Sequence, residues 1–360
     1  MKRLDSHVGV TVLMASLLVW LAVASLETLF VFLGEIDDVG RGAYTLGDAL
    51  RFALLTLPMR AWQSLAVSTL IGALLGLGAL AARGELTAFG LAGCSPARLA
   101  RAAVQAGALL VAFAALIGEG WGPSTQHLGR QLRSAAMFDA VDVRGEPGFW
   151  LRDGNRLVQV GHSNSDGSLS AVHVYEIDAT PRLVAATSAA RAYPLGDGRW
   201  VLERLASSLF GHGEVKVQLA ERAQWPALVD PRLADILSRD PQTLSLPNLT
   251  RYMAYLERSG GSAADYRSSF WRRVAEPFTA LSMLMLAVGM MLGSLARRSA
   301  GQRVLIAVLA GLAFKLGNEI VVHAGQVYGV APWLAALLPA LIALLLAGWL
   351  LRGPASVNRS

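Results

Sequence analysis

Residues 79–102 read ALAARGELTAFGLAGCSPARLARA and lie between two long apolar runs. The stretch carries too much charge to cross a bilayer and too many apolar residues to be an ordinary solvated loop. Its place follows from the runs around it. Six runs are long enough to span about 30 Å of hydrocarbon, for which roughly 20 residues suffice. They cover 9–34, 58–82, 99–119, 274–295, 303–323 and 332–351. Between the third and fourth lies a polar region large enough for a core of its own. The pattern predicts three spans, an inserted soluble domain and three more spans.

The chain has 360 residues, of which 54% are hydrophobic and 16% charged, and a net charge of +6. Such a balance could suggest nucleic acid, but the positions of the charges point to membrane topology. Lys2 and Arg3 precede the first span, Arg83, Arg98 and Arg101 flank the second turn, Arg297, Arg298 and Arg303 fall between spans four and five, and Arg352 and Arg359 follow the last. The opposite hairpins hold Glu35, Asp37 and Asp38 with Arg41 and Arg51, or no charge at 324–331. By the positive-inside rule both termini are expected in the cytoplasm and the soluble domain outside, with no nucleic-acid partner. The N-terminus, with Ala22-Val23-Ala24 after an apolar run, looks like a secretory signal. That run continues through Leu29, Phe30, Val31 and Phe32, longer than a signal core, so it reads as a retained anchor. Cys94 is the one cysteine, which excludes an internal disulfide and a cysteine zinc site.

Boundary signals support this layout. Ser95-Pro96 reads as a helix cap with proline at the first helical position. Gly72, Gly76 and Ala79, and likewise Gly289 and Gly293, have the spacing that lets helices approach closely in lipid. Pro339 predicts a kink in the last span. From Gly148 to about Pro226 the period changes to short runs such as FWLRDGNRLVQV, LSAVHVYEI and EVKVQLAE, punctuated by Asp153-Gly154-Asn155, Asp166-Gly167 and Gly196-Asp197-Gly198. Such spacing predicts an antiparallel sandwich or jelly roll. Residues 124–138, 246–258 and 263–275 read as helical stalks beside it.

Catalytic signals are sparse. The three lysines, Lys2, Lys216 and Lys315, lie in no P-loop pattern, and the six histidines show no metal spacing. Gly93-Cys94-Ser95-Pro96-Ala97 lacks the last glycine and the preceding strand of a nucleophile elbow. Charges inside spans require a physical account. Lys315 and Glu319 are four apart and share a helix face, with His323 one turn further. They read either as a neutralised pair that fixes register or as a polar path. Glu27 and Glu119 stay open between a watery and a partner-facing role. Arg130 and Arg133 stand three apart just beyond span three, with Arg60 a weaker candidate of the same kind; guanidinium forks there suit phosphates or routine interfacial anchoring.

The turn at 83–95 therefore lies on the cytoplasmic side and holds a short helix with Leu86, Phe89 and Leu91 apolar and Glu85 polar. A helix this short is unstable alone and must rest on a bilayer surface or in a protein groove. A transporter lacking its own ATPase needs such an element to seat in a partner.

The stretch GALLGLGALAARGELTAFGLAGCSPARLARA strongly resembles the lipopolysaccharide export system permease family (LptF/LptG), and its LptG branch more than its LptF branch. The resemblance continues through IGEGWGPSTQHLGRQLRSAAM, GFWLRDGNRLVQV and VYGVAPWLAALLPAL, in the family's order and over nearly the whole chain. It implies a helical membrane protein with six transmembrane helices (3+3) and an inserted periplasmic antiparallel β-jelly roll. The expected segments are 1–121 with a coupling helix at about 83–95, a periplasmic region 122–273 with the jelly roll at about 146–228, and 274–360. It further implies a non-catalytic ABC-transporter subunit of the inner membrane without a cofactor of its own, ATP being hydrolysed by a partner. The implied partners are a paralogous LptF-like permease, an LptB-like ATPase homodimer, an LptC-like single-span jelly-roll protein and lipopolysaccharide. Glu85, with Leu86 and Phe89, would meet the ATPase, and Arg130 and Arg133 would match the family's basic pair near the lipid cavity.

One departure stands out. Where some members of the family carry phosphate-facing lysines, this chain reads VFLGEIDDVGRG. An acidic edge formed by Glu35, Asp37 and Asp38 would repel bare phosphates, so headgroup contacts shift to Arg60, Arg130 and Arg133 or the lipid differs in charge. The competing readings are the LptF-type subunit, a permease for another envelope lipid, a membrane-anchored envelope enzyme and a structural or sensory protein.

Overall fold

The computed structural model describes residues 2–137, 149–153, 155–163, 168–178, 182–195, 199–211, 214–226, 244–259, 263–295 and 298–352. The chain divides into a helical unit, Met1–Val39 with Tyr44–Arg133 and Arg267–Ser360, and a second unit, Gly40–Ala43 with Ser134–Tyr266. Turn residues Gly154, Asp166, Gly167 and 196–198 lie outside the described residues.

The helical unit contains α1 (Lys2–Ile36), α2 (Leu46–Gln63), α3 (Leu65–Ala82), α4 (Glu85–Leu91) and α5 (Pro96–Gly120), with α6 (Gly122–Met137) running on from α5. Later in the chain α7 (Leu246–Ser259) belongs to the second unit, and the helical unit is completed by α8 (Ala264–Met290), with a π-helical turn at Met291–Leu295, α9 (Ala300–Val327) and α10 (Pro332–Arg352). Among the described residues, six helices are long and apolar enough to cross a membrane: α1, α3, α5, α8, α9 and α10. The apolar run expected as a single span at 58–82 is two helices that meet at Ser64. α2 starts early because Thr45 and Asp48 form a reciprocal cap, the Thr45 hydroxyl donating to Asp48 over 2.6 Å. That bond holds the Asp48 carboxyl below its usual range. The stalk expected at 263–275 is no separate element but the first part of α8. Helix α10 continues through Pro339.

Helix α3 is the centre of the bundle. Two-thirds of its span (67%) is buried, against 11% for α9. In lipid such burial reflects packing and not escape from water, so small residues decide how near helices come. A side chain added at Gly72 would collide with the backbone of Ser16, and one at Gly76 would crowd Thr11, Val12 and Ala15, so both glycines form the seam with α1. Ala79, grouped with them by spacing, is exposed instead. Leu70, Leu74 and Leu77 pack with Trp20, Leu110, Met283 and Leu284 into one core. The Trp20 indole donates to the carbonyl of Ala61 (2.6 Å), which satisfies its one polar atom where water is absent. Gly289 serves α10, with Ala347 and Leu350 against it.

The second unit holds six antiparallel strands: β1 (Phe149–Asp153), β2 (Arg156–Ser163), β3 (Leu169–Ile177), β4 (Leu183–Pro194), β5 (Arg199–Phe210) and β6 (Val215–Pro226). They pair in chain order, β1 to β6, so the antiparallel sheet expected here is an up-and-down meander among the described strands. The row Val160, Val172, Ala189, Leu205 runs in register across four strands, all buried. Strict alternation would put residues three apart on opposite faces, yet Leu169 and Val172, and Leu202 and Leu205, are buried in pairs. The cause lies between them. Ala171 and Arg204 adopt left-handed backbone, φ 53° and 52°, and turn each strand over within one residue.

Candidate functional site

The turn that opens the chain's reading is built by two glycines. Gly84 (φ 74°) ends the path of α3 and Gly93 (φ 75°) returns the chain toward α5, both in the left-handed region that side chains disfavour. Between them α4 is seven residues long. Leu86 and Phe89 rest half-buried on the bundle core, whereas Leu91 is exposed, so the apolar side is narrower than the sequence suggests. Ser95 precedes α5 with extended backbone and Pro96 follows at the first helical position, but the Ser95 side chain makes no capping bond. Proline and backbone geometry alone start that helix.

Glu85 stands at the entry of α4. His7 Nε2 lies 2.7 Å from its Oε2, and Arg83 reaches to 3.9 Å of its Oε1. On the far side of the turn, Arg98 donates from Nε and a terminal nitrogen to both oxygens of Asp5, each at 2.8 Å. These partners were not legible locally, since Asp5 and His7 belong to α1.

Arg60, Arg130 and Arg133 come together around the far end of α1. Arg133 donates from Nε to Glu35 Oε2 and from a terminal nitrogen to Asp38 Oδ2, both at 2.6 Å, and its guanidinium lies over the Phe52 ring. The Tyr44 hydroxyl donates to the same Glu35 oxygen (2.9 Å). Burial, and then the Glu35 carboxylate, hold the Tyr44 hydroxyl well above the usual phenol range. Burial works against the Arg133 charge, but the Glu35 bond and both carboxylates outweigh it and raise its pKa. Glu35 and Asp38 are therefore not the open acidic edge expected from their sequence; Arg133 binds both and offsets part of their charge. Arg60, on α2, is half-buried, feels the fields of Glu27, Glu35 and Arg130, and leaves its Nε without a hydrogen-bond partner. Arg130 is half-buried on α6.

The intramembrane pair expected between Lys315 and Glu319 is not formed. Glu319 accepts instead from Arg272 on α8 (3.0 Å), and Lys315 is exposed, with Glu27 in its electrostatic reach. The bond comes from another helix, with one terminal nitrogen of Arg272 donating to Glu319 Oε1. Glu119, left open by the sequence, pairs with buried Arg273 (2.8 Å) between α5 and α8. No group of three or more metal-ligating side chains occurs among the described residues.

A family model described as the lipopolysaccharide export system permease LptF/LptG matches residues 7–353. The chain is 29% identical over 352 residues to the lipopolysaccharide export system permease protein LptG of Haemophilus influenzae, covering 97% of this chain and 98% of that protein. It is 27% identical over 350 residues to LptG of Escherichia coli K12, covering 97% of each. With a match that runs from α1 through α10 and takes in the inserted sheet, the chain belongs to the LptF/LptG family of lipopolysaccharide export system permeases.

Proposed function

We propose that this chain is the LptG-type permease subunit of an inner-membrane ABC transporter that extracts lipopolysaccharide and passes it toward the outer membrane. The observation that carries the reading is the 83–95 turn, where a seven-residue helix sits on the bundle core through Leu86 and Phe89 and presents Glu85 beside it. Likeness to two LptG proteins along 97% of the chain supports LptG over LptF. In this reading both termini and the turn face the cytoplasm, in line with the basic residues at 83, 98, 101 and 298. The sheet unit is periplasmic. Glu85 meets an LptB-like ATPase dimer while Leu86 and Phe89 seat the helix on the bundle; the dimer supplies ATP hydrolysis, so this subunit needs no cofactor. An LptF-like paralogue completes the cavity and an LptC-like jelly-roll protein receives the lipid.

Arg60 and Arg130 are the phosphate-facing groups in this assignment, with guanidinium forks suited to a phosphorylated headgroup. Arg133 has both arms on Glu35 and Asp38 and acts by shaping that end of α1. The test is purification from native membrane in mild detergent, followed by identification of co-purifying proteins and an ATPase assay on wild type and Glu85→Ala. Recovery of a paralogous permease and a small ATPase, with hydrolysis that falls in the variant, is the expected result. A lone chain without an ATPase would refute the assignment, and an LptG-like partner would make this chain the LptF-type subunit.

A further inference from the structure

The first turns of α1 grip the coupling turn at both of its ends. His7 Nε2 approaches Glu85 Oε2 to 2.7 Å across 78 positions of sequence. Asp5, two residues earlier, holds Arg98 just past the exit of the turn. Leu4 packs on the same core as Leu86 and Phe89. A helix of seven residues has too few internal bonds to fix its own direction. Its N-cap, Gly84, has no side chain to help. Of the two cations near Glu85, Arg83 is distant and 70% exposed, a geometry in which ion pairs contribute little. His7 makes the short contact. With its proton on Nε2, the imidazole donates to the carboxylate.

We propose that His7 is a positioning residue for Glu85. It holds one carboxylate oxygen, fixes the rotamer of the side chain at the entry of α4, and so sets the direction in which Glu85 meets the ATPase. This rests on the reading of 83–95 as the coupling element. The contact joins the front of α1 to the turn, so any displacement of the turn by the ATPase reaches α1 through His7 as well as through the short loop to α3.

The test uses the whole complex purified from native membrane and reconstituted in proteoliposomes with lipopolysaccharide. Three quantities are read: ATPase recovered per permease, ATP hydrolysed, and lipopolysaccharide extracted per ATP. His7→Ala is expected to lower lipid extracted per ATP by roughly 3- to 10-fold, the range set by losing one ordinary hydrogen bond at a half-exposed side chain. ATPase recovery should stay at the wild-type level. His7→Gln, which keeps an N–H at similar reach, should restore most of the yield, and in a Glu85→Ala background His7→Ala should have no further effect. Wild-type yield in His7→Ala, with a low yield in Glu85→Ala, would overturn the role of His7 alone. Additive losses would place its action elsewhere, and loss of ATPase recovery in His7→Ala would make it a structural brace; either overturns the inference. Wild-type yield in Glu85→Ala would sink the reading of the turn and the role of His7 with it.

Discussion

Replacing Arg133 by alanine removes two 2.6 Å bonds, one to Glu35 and one to Asp38, whose side chains are 13% and 18% exposed. A shielded hydrogen bond to a charged group contributes about 1.5–3 kcal/mol. Arg133 itself is 33% exposed, and solvent screening reduces the combined effect to roughly 2 kcal/mol. For a unit of this size that corresponds to a melting temperature lower by about 4–8 °C. The assay is thermal unfolding of the purified complex in detergent, with lipid photocross-linking in parallel. Arg133→Lys should recover only part of the loss, since an ammonium cannot fork to both acids. Adding Glu35→Gln and Asp38→Asn to Arg133→Ala should recover most of it, because no uncompensated charge then remains. Arg130→Ala provides the contrast, with weaker cross-linking as its main effect. An Arg133→Ala protein that melts like wild type while losing its cross-link would refute the reasoning and make Arg133 a lipid contact.

Two further outcomes follow from buried polar groups. Arg273→Met leaves Glu119 without its partner between α5 and α8; a loss of roughly 2–3 kcal/mol is expected in the same unfolding assay, and Arg273→Met with Glu119→Gln should reverse most of it. Tyr44 has a folded-state pKa above its unfolded value of about 10. The unfolded chain releases that proton first, so the stability Tyr44 contributes is complete below about pH 10 and falls as pH climbs toward the folded value. Tyr44→Phe should flatten this alkaline fall in unfolding measured from about pH 9 to 11, and an unchanged slope would show that Tyr44 is not its source.

What could be read in advance was whatever the bilayer or the chain's own local geometry demands. Apolar runs stand out because a span must be apolar for about 20 residues, and the strands stand out by alternation. Helix α2 was obscured because Asp48 and Arg51 interrupt its hydropathy, although the Thr45–Asp48 cap was there to find. The short helix in the 83–95 turn was legible, with Leu86 and Phe89 on its apolar side and Glu85 at its entry. Its holders were not, because His7 lies 78 positions away. The same limit explains the two corrections. Lys315 and Glu319 were matched because a helix neighbour is the one partner that spacing can reveal, whereas Arg272, 47 positions away, makes the bond. Glu35 and Asp38 looked repulsive because Arg133 follows 98 and 95 positions later. Spacing reports neighbours on one element; it carries no sign of a cation delivered by another helix.

The contact between Gly72 and Ser16 has a mechanical consequence. The two backbones touch there with no side chain between them, so a tilt of α1 on α3 would turn about this point. At 1.5 Å per residue, His7 lies about 14 Å to one side of that fulcrum and Glu35 about 29 Å to the other. An unbroken helix pivoted off-centre is a lever with unequal arms. A small tilt imposed at the His7 end would appear at the Glu35 end in the opposite direction and about twice as large. The glycine seam thus gives α1 a gear ratio as well as a packing partner.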